Sequence, residues 1–101
     1  MEGNLLFILF DCGITASSMC IERVCNGVRE RIINDLVNHH IKNRTISLLE
    51  THKEKYSECT HLLINDSDFT EEVIAYFTLN YPSMKIINLD TDIQWQNYTA
   101  G

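Results

Sequence analysis

Asp11, Cys12, Gly13, Ile14, Thr15, Ala16, Ser17 and Ser18 are the run of residues best equipped for chemistry in this chain. An acid, a thiol, a glycine and three hydroxyls follow one another directly after an apolar stretch at residues 5–10. Where a strand turns sharply into a helix N-terminus, backbone N–H groups converge and can hold an anion. Residues 11–18 therefore read as a phosphate-loop-like segment, with a helix opening at Ser17 or Ser18. The residue at the strand's last position decides whether such a loop does covalent chemistry. Here that residue is Phe10, which cannot act as a nucleophile. No catalytic residue is expected. Cys12 is the alternative, because a thiolate at a helix N-terminus is stabilised and becomes nucleophilic.

Other groupings carry less. A Cys-x5-Arg phosphate clamp, as in low-molecular-weight tyrosine phosphatases, needs an arginine where Ser18 follows Cys12. Cys25 and Arg31 have that spacing, but inside the expected first helix rather than after a strand. The chain has no Cys-x-x-Cys, and His39-His40 lacks a second ligand pair at useful spacing, so no metal and no cofactor is expected. Three of the four thiols, Cys20, Cys25 and Cys59 beside Cys12, read as reduced packing residues. The four histidines read as surface or helix-end groups. Asp66, Asp68, Glu71 and Glu72 are acidic residues expected at the start of a helix on dipole grounds alone.

These residues need a scaffold. The apolar run 5–10 suits a strand buried on both faces of a parallel sheet. Ile21, Val24, Cys25, Val28, Ile32 and Leu36 recur at helical spacing and predict a long amphipathic helix that frays at residues 38–40. Residues 44–49 predict a second strand, 61–65 a third and 85–89 a fourth. Asp68 and Glu71 suggest a capping box opening a helix over 69–80, which Pro82 stops. Trp95 and Tyr98 are available to pack back from a polar closing segment. Strands alternating with helices imply a single α/β domain: a four-stranded parallel sheet flanked by helices, in a Rossmann-like arrangement. Ligands on such sheets sit beyond the strands' carboxyl ends, so residues 11–18 and the turn at 65–68 share the functional edge.

The 101 residues suffice for one domain, and 45% hydrophobic content fits a globular core. A net charge of −6 repels phosphodiester backbones, which argues against direct nucleic-acid contact. The apolar run is too short to span a membrane and lacks a basic leader, so a cytoplasmic protein is expected.

The residues 10–19, Phe-Asp-Cys-Gly-Ile-Thr-Ala-Ser-Ser-Met, resemble the active loop of EIIB domains of the bacterial sugar phosphotransferase system. In the mannitol-type branch that loop reads Cys-Asp-Ala-Gly-Met-Gly-Ser-Ser-Ala-Met; in the galactitol-like form Gly-Ile-Ala-Thr-Ser-Thr-Met lies over residues 13–19. Residues 59–72 are similar to the family's third strand and following helix, and 85–90 to its last strand. Phe10 stands where the family's phosphocysteine belongs. The resemblance thus implies a degenerate, non-catalytic EIIB-like domain, 1–101. Such modules close multidomain bacterial transcription regulators, including Mga-like virulence regulators. It implies self-association as a homodimer, contact with other domains of the parent regulator, or contact with phosphotransferase proteins. The exposed side of the first helix, with Trp95 and Tyr98, is the expected interface. The alternative is a working phosphocarrier in sugar uptake, with Cys12 taking a phosphoryl group from an EIIA histidine.

Overall fold

The computed structural model describes residues 3–12, 17–37 and 42–90. Five strands and two helices follow in the order β1 (Leu5–Cys12), β2 (Ser17–Cys25), β3 (Val28–Val37), α1 (Lys42–Thr51), β4 (His61–Ile64), α2 (Thr70–Asn80) and β5 (Lys85–Asn88). A 3-10 turn, Lys53–Lys55, follows α1. The sheet order is β3-β2-β1-β4-β5. β1, β2 and β3 form an antiparallel meander, whereas β4 runs parallel to β1 and β5 parallel to β4. The protein is α/β as expected, but the sheet is mixed and five-stranded rather than parallel and four-stranded.

The expected first helix is a β-hairpin instead. Asn26 and Gly27 adopt φ of 53° and 81°, the pair of positive values that a tight hairpin turn of type I′ requires. The turn splits the stretch that mimicked helical spacing. β2 then alternates, with Ser17, Met19 and Ile21 buried toward the helices. A register shift follows at Ile21/Glu22, and this bulge carries Ile32 and Ile33 past the simple alternation that would have revealed β3.

Residues 44–49, expected as a strand, lie in α1. A strand would put Ile46 and Leu48 on one face, opposite Thr45 and Leu49. A helical turn gathers all four on one side and leaves Ser47 and Glu50 exposed. Packing against α2 rewards the second arrangement.

The main core lies between the sheet and both helices. Leu6, Ile8 and Phe10 of β1, with Leu62 and Ile64 of β4, meet Leu49 of α1 and Val73 and Phe77 of α2. Tyr56 packs its ring 5.4 Å from Phe77. The opposite sheet face carries a second, smaller apolar cluster of Phe7, Leu63 and Ile87. Residues 38–40, Trp95 and Tyr98 lie outside the described residues.

Candidate functional site

Three parallel strands, β1, β4 and β5, end on one edge of the sheet, and the chain's order reverses at β1, with β2 and β3 to one side and β4 and β5 to the other. A topological switch of this kind opens a crevice between strand ends. β4 stops at Ile64, but its pairing with β1 does not. The Asn65 side chain accepts the Phe10 N–H at 2.8 Å and donates to the Phe10 carbonyl at 2.7 Å. One amide thus supplies both the donor and the acceptor that another strand residue would have presented.

The neighbouring strand end is stitched in the same way. The Asp66 N–H donates to an Asp90 carboxylate oxygen at 2.6 Å, and Asn88 Nδ2 donates to the Asp66 carboxylate at 2.6 Å. The Asp90 N–H donates to Asn88 Oδ1 at 2.9 Å. At the entrance to α2, Ser67 Oγ accepts the Phe69 N–H at 3.1 Å, and the Thr70 hydroxyl donates to the Asn65 carbonyl at 2.7 Å. Phe69, rather than an acid, occupies the N-cap position, and α2 begins at Thr70. An open depression of about 500 Å³ lies beside these groups, lined by Asp66, Asp68, Thr70, Glu71 and Asn88 among others.

The structure redistributes the residues singled out in the sequence. Phe10 does not close β1: the strand runs on to Cys12. Phe10 is a core residue, 6% exposed, with its ring stacked 5.4 Å from Phe69. Asp11 is exposed and pairs across the hairpin with Ser18, while Cys12 pairs with Ser17. Gly13, Ile14, Thr15 and Ala16 lie outside the described residues. Ser17 and Ser18 begin a strand, so the helix N-terminus that was to gather amides and activate a Cys12 thiolate does not follow this segment. The side-by-side placement of β1's end and the 65–68 turn agrees with the sequence reading.

Cys20, Cys25 and Cys59 are free. Burial pushes the Cys59 thiol up to about 11, and burial together with the Glu22 charge raises Cys20, so both are poor nucleophiles at neutral pH. His61 opens β4; burial, Lys85 and the chain's amino group hold it below its usual value. Among the described residues, no group of three histidine, cysteine or acidic side chains is arranged to hold a metal ion.

Charge divides between the two ends of the sheet. The carboxyl edge carries exposed Asp11, Asp66, Asp68, Glu71 and Asp90. At the amino edge Arg23 pairs with Glu30 at 2.9 Å, Lys55 with Glu30 at 3.1 Å, and Arg23 reaches the Lys55 carbonyl at 3.3 Å. That network ties the 3-10 turn to the hairpin. On the sheet face, Arg29 and Arg31 grip Glu22; burial opposes its charge, but the two guanidinium groups hold its carboxyl below the usual range.

The missed feature is the set Asn65, Asn88 and Asp90. Its sequence signal was present, since each Asn directly follows an apolar strand residue, Ile64 and Ile87. A polar amide at the end of a buried strand, as its last residue (Asn88) or the one after it (Asn65), is well placed to tie off the strand end.

No family model matches this chain, and no curated protein matches it. Among solved structures, it is similar to the Aquifex aeolicus member of the Ppx/GppA protein family, at 12% identity and a TM-score of 0.36 over 85% of this chain and 36% of that one. It is also similar to Marinitoga piezophila Argonaute in complex with 5′ OH guide RNA, at 17% identity and a TM-score of 0.40 over 84% of this chain and 15% of that one. The chain spans little more than a third of the first structure's length and about a seventh of the second's, and likenesses this distant leave its function to be argued from its own residues.

Proposed function

We propose that this chain is a non-catalytic α/β contact domain, serving regulation within a larger protein as the EIIB-like resemblance implies for transcription regulators. The observation that carries the reading is the self-stitched carboxyl edge. At the switch point, where a ligand would be received, Asn65 is committed to the Phe10 backbone, and Asp66, Asn88 and Asp90 are committed to one another. Catalytic polar groups must instead be held ready for charge that develops on a substrate. The exposed acids of the edge favour a basic surface on another domain or protein. They disfavour a second copy meeting the same edge, because like charges would face each other.

The phosphocarrier alternative rests on Cys12 alone. It required a helix N-terminus after the loop to lower the thiol's pKa, and β2 occupies that place.

Incubating the chain with the general phosphotransferase proteins, a matched EIIA and labelled phosphoenolpyruvate separates the readings. The contact-domain reading expects no label above that of Cys12→Ser; label on Cys12 that the substitution abolishes would overturn it. For the contact itself, a fluorescent Lys/Arg-rich peptide serves as probe. Its affinity should fall as salt rises and should fall again in the Asp66→Asn/Asp68→Asn double variant, with Glu54→Gln at the far end as the neutral control.

A further inference from the structure

The tip of the β2–β3 hairpin carries an amide whose chemistry the proposed contact leaves unused. Among the asparagines of this chain, only Asn26 precedes a glycine. Asn26 and Gly27 are both exposed, with φ of 53° and 81°. The ladder closes at the pair Cys25 and Val28, so the Gly27 N–H is not one of its donors. Nothing lies within 4 Å of where a Gly27 Cβ would stand. Four other asparagines differ on both counts. Asn4, Asn65, Asn80 and Asn88 each donate their side-chain amide to an oxygen. The residues after them, Leu5, Asp66, Tyr81 and Leu89, carry side chains that crowd the nitrogen next in line.

We infer that Asn26 is a site of spontaneous deamidation, and that its isoaspartyl product releases the hairpin tip. The Gly27 nitrogen attacks the Asn26 side-chain carbonyl carbon. A bond from that nitrogen to Cγ forms, the Cγ–Nδ2 bond breaks, the Gly27 N–H proton passes through solvent to the leaving nitrogen, and ammonia departs. The product is a five-membered succinimide. Water then adds to one of its two carbonyls, reopening the ring to aspartate or, through the main-chain carbonyl, to isoaspartate. One water is consumed and one ammonia released, with no change in oxidation state.

The two products act differently on the fold. The Asn26 N–H donates to Asn4 Oδ1 at 3.2 Å, while Asn4 Nδ2 donates to the Glu58 carbonyl at 3.0 Å. One side chain thus ties the tip to the turn that precedes β4. Aspartate keeps the main chain and tolerates a positive φ, so it preserves this tie. Isoaspartate inserts one more main-chain carbon before Gly27, which a two-residue type I′ loop has no room for. The tip lies at the amino end of β1, so the inference is independent of the acidic carboxyl edge.

The test holds the full chain in warm, mildly alkaline buffer and follows it by tryptic mass spectrometry. Trypsin releases residues 24–29, which contain Asn26 and no other asparagine. This peptide should exchange NH2 for OH several-fold faster than peptides holding the other asparagines. It should also split into two chromatographic forms, one of them methylated by protein isoaspartyl methyltransferase. Gly27→Ala should slow the exchange several-fold. A rate no faster than at the other asparagines, or unchanged in Gly27→Ala, would overturn the site. In the intact protein, hydrogen exchange over residues 24–29 should be several-fold faster in the isoaspartyl form than in Asn26→Asp. Equal exchange in the two would overturn the release of the tip.

Discussion

Replacing Asn65 with alanine removes an amide that makes two short hydrogen bonds to one residue, 2.8 Å from the Phe10 N–H and 2.7 Å to the Phe10 carbonyl. Each such bond contributes about 1 kcal/mol net. The larger loss comes from the partners left behind. Phe10 is 6% exposed, so water has little access to its backbone groups, and an orphaned buried donor or acceptor costs about 1–3 kcal/mol. Summing these with partial rehydration gives about 2–4 kcal/mol for Asn65→Ala. In a domain of this size that lowers Tm by roughly 10–25 °C. Asn65→Asp distinguishes the two bonds. Its carboxylate still accepts the Phe10 N–H but faces the Phe10 carbonyl with a second oxygen and no proton. It should lose nearly as much as alanine at pH 7 and recover part of the loss below about pH 4, where a protonated acid can donate again. Urea unfolding followed by circular dichroism measures both, provided the m value is unchanged. A loss under about 0.5 kcal/mol for alanine, or an Asp variant insensitive to pH relative to the parent, would refute the clamp.

Further outcomes follow from other residues. Tyr56 is fully buried, and its hydroxyl has no hydrogen-bond partner among the described residues. Tyr56→Phe should therefore leave stability unchanged or raise it by about 1 kcal/mol in the same urea assay, whereas Tyr56→Ala should cost about 3–5 kcal/mol. Gly27 has φ of 81° with nothing within 4 Å of an added Cβ, so Gly27→Ala should cost about 1 kcal/mol from backbone strain alone. Glu22 is held below its usual pKa despite burial, by Arg29 and Arg31. The folded-state value lies under the unfolded one, so its stabilisation is present above about pH 4.3 and fades as pH falls through the folded value. Urea-derived unfolding free energies of the parent and Glu22→Gln should differ by about 1 kcal/mol at pH 7 and converge as pH falls well below the usual carboxylate range.

The α/β class, β1 as far as Phe10, β4, α2 and β5 were legible because each is a short apolar run bounded by polar residues or Pro82. Residues 17–37 were not. Ile21, Val24, Cys25, Val28, Ile32 and Leu36 satisfy a helical period only because a turn and a bulge shift the phase of two strands. The Asn26-Gly27 pair was the corrective signal, since two positive φ values are incompatible with a continuous helix. The short α1 was obscured by Thr45 and Ile46, whose β-branching suits a strand until helix packing outweighs it. For the site, the position of the 65–68 turn beside β1 was readable from strand order. The amide of Asn65 reaching the Phe10 backbone was not, because the contact spans 55 residues. Once β2 replaces a helix, Cys12 and Ser17 are neighbours across a hairpin rather than successive members of a phosphate loop.

Residues 17–37 form a hairpin laid against β1, and the placement of every site residue depends on it. Backbone NMR of the full chain tests this directly. Interstrand contacts should link Phe10 with Met19 and Ile21 with Ile33, alongside slowly exchanging Asn65 side-chain amide protons. A run of helical i to i+3 contacts from residue 19 to residue 36, with no contacts between those strands, would contradict it and restore the helix-capped phosphate loop around Cys12.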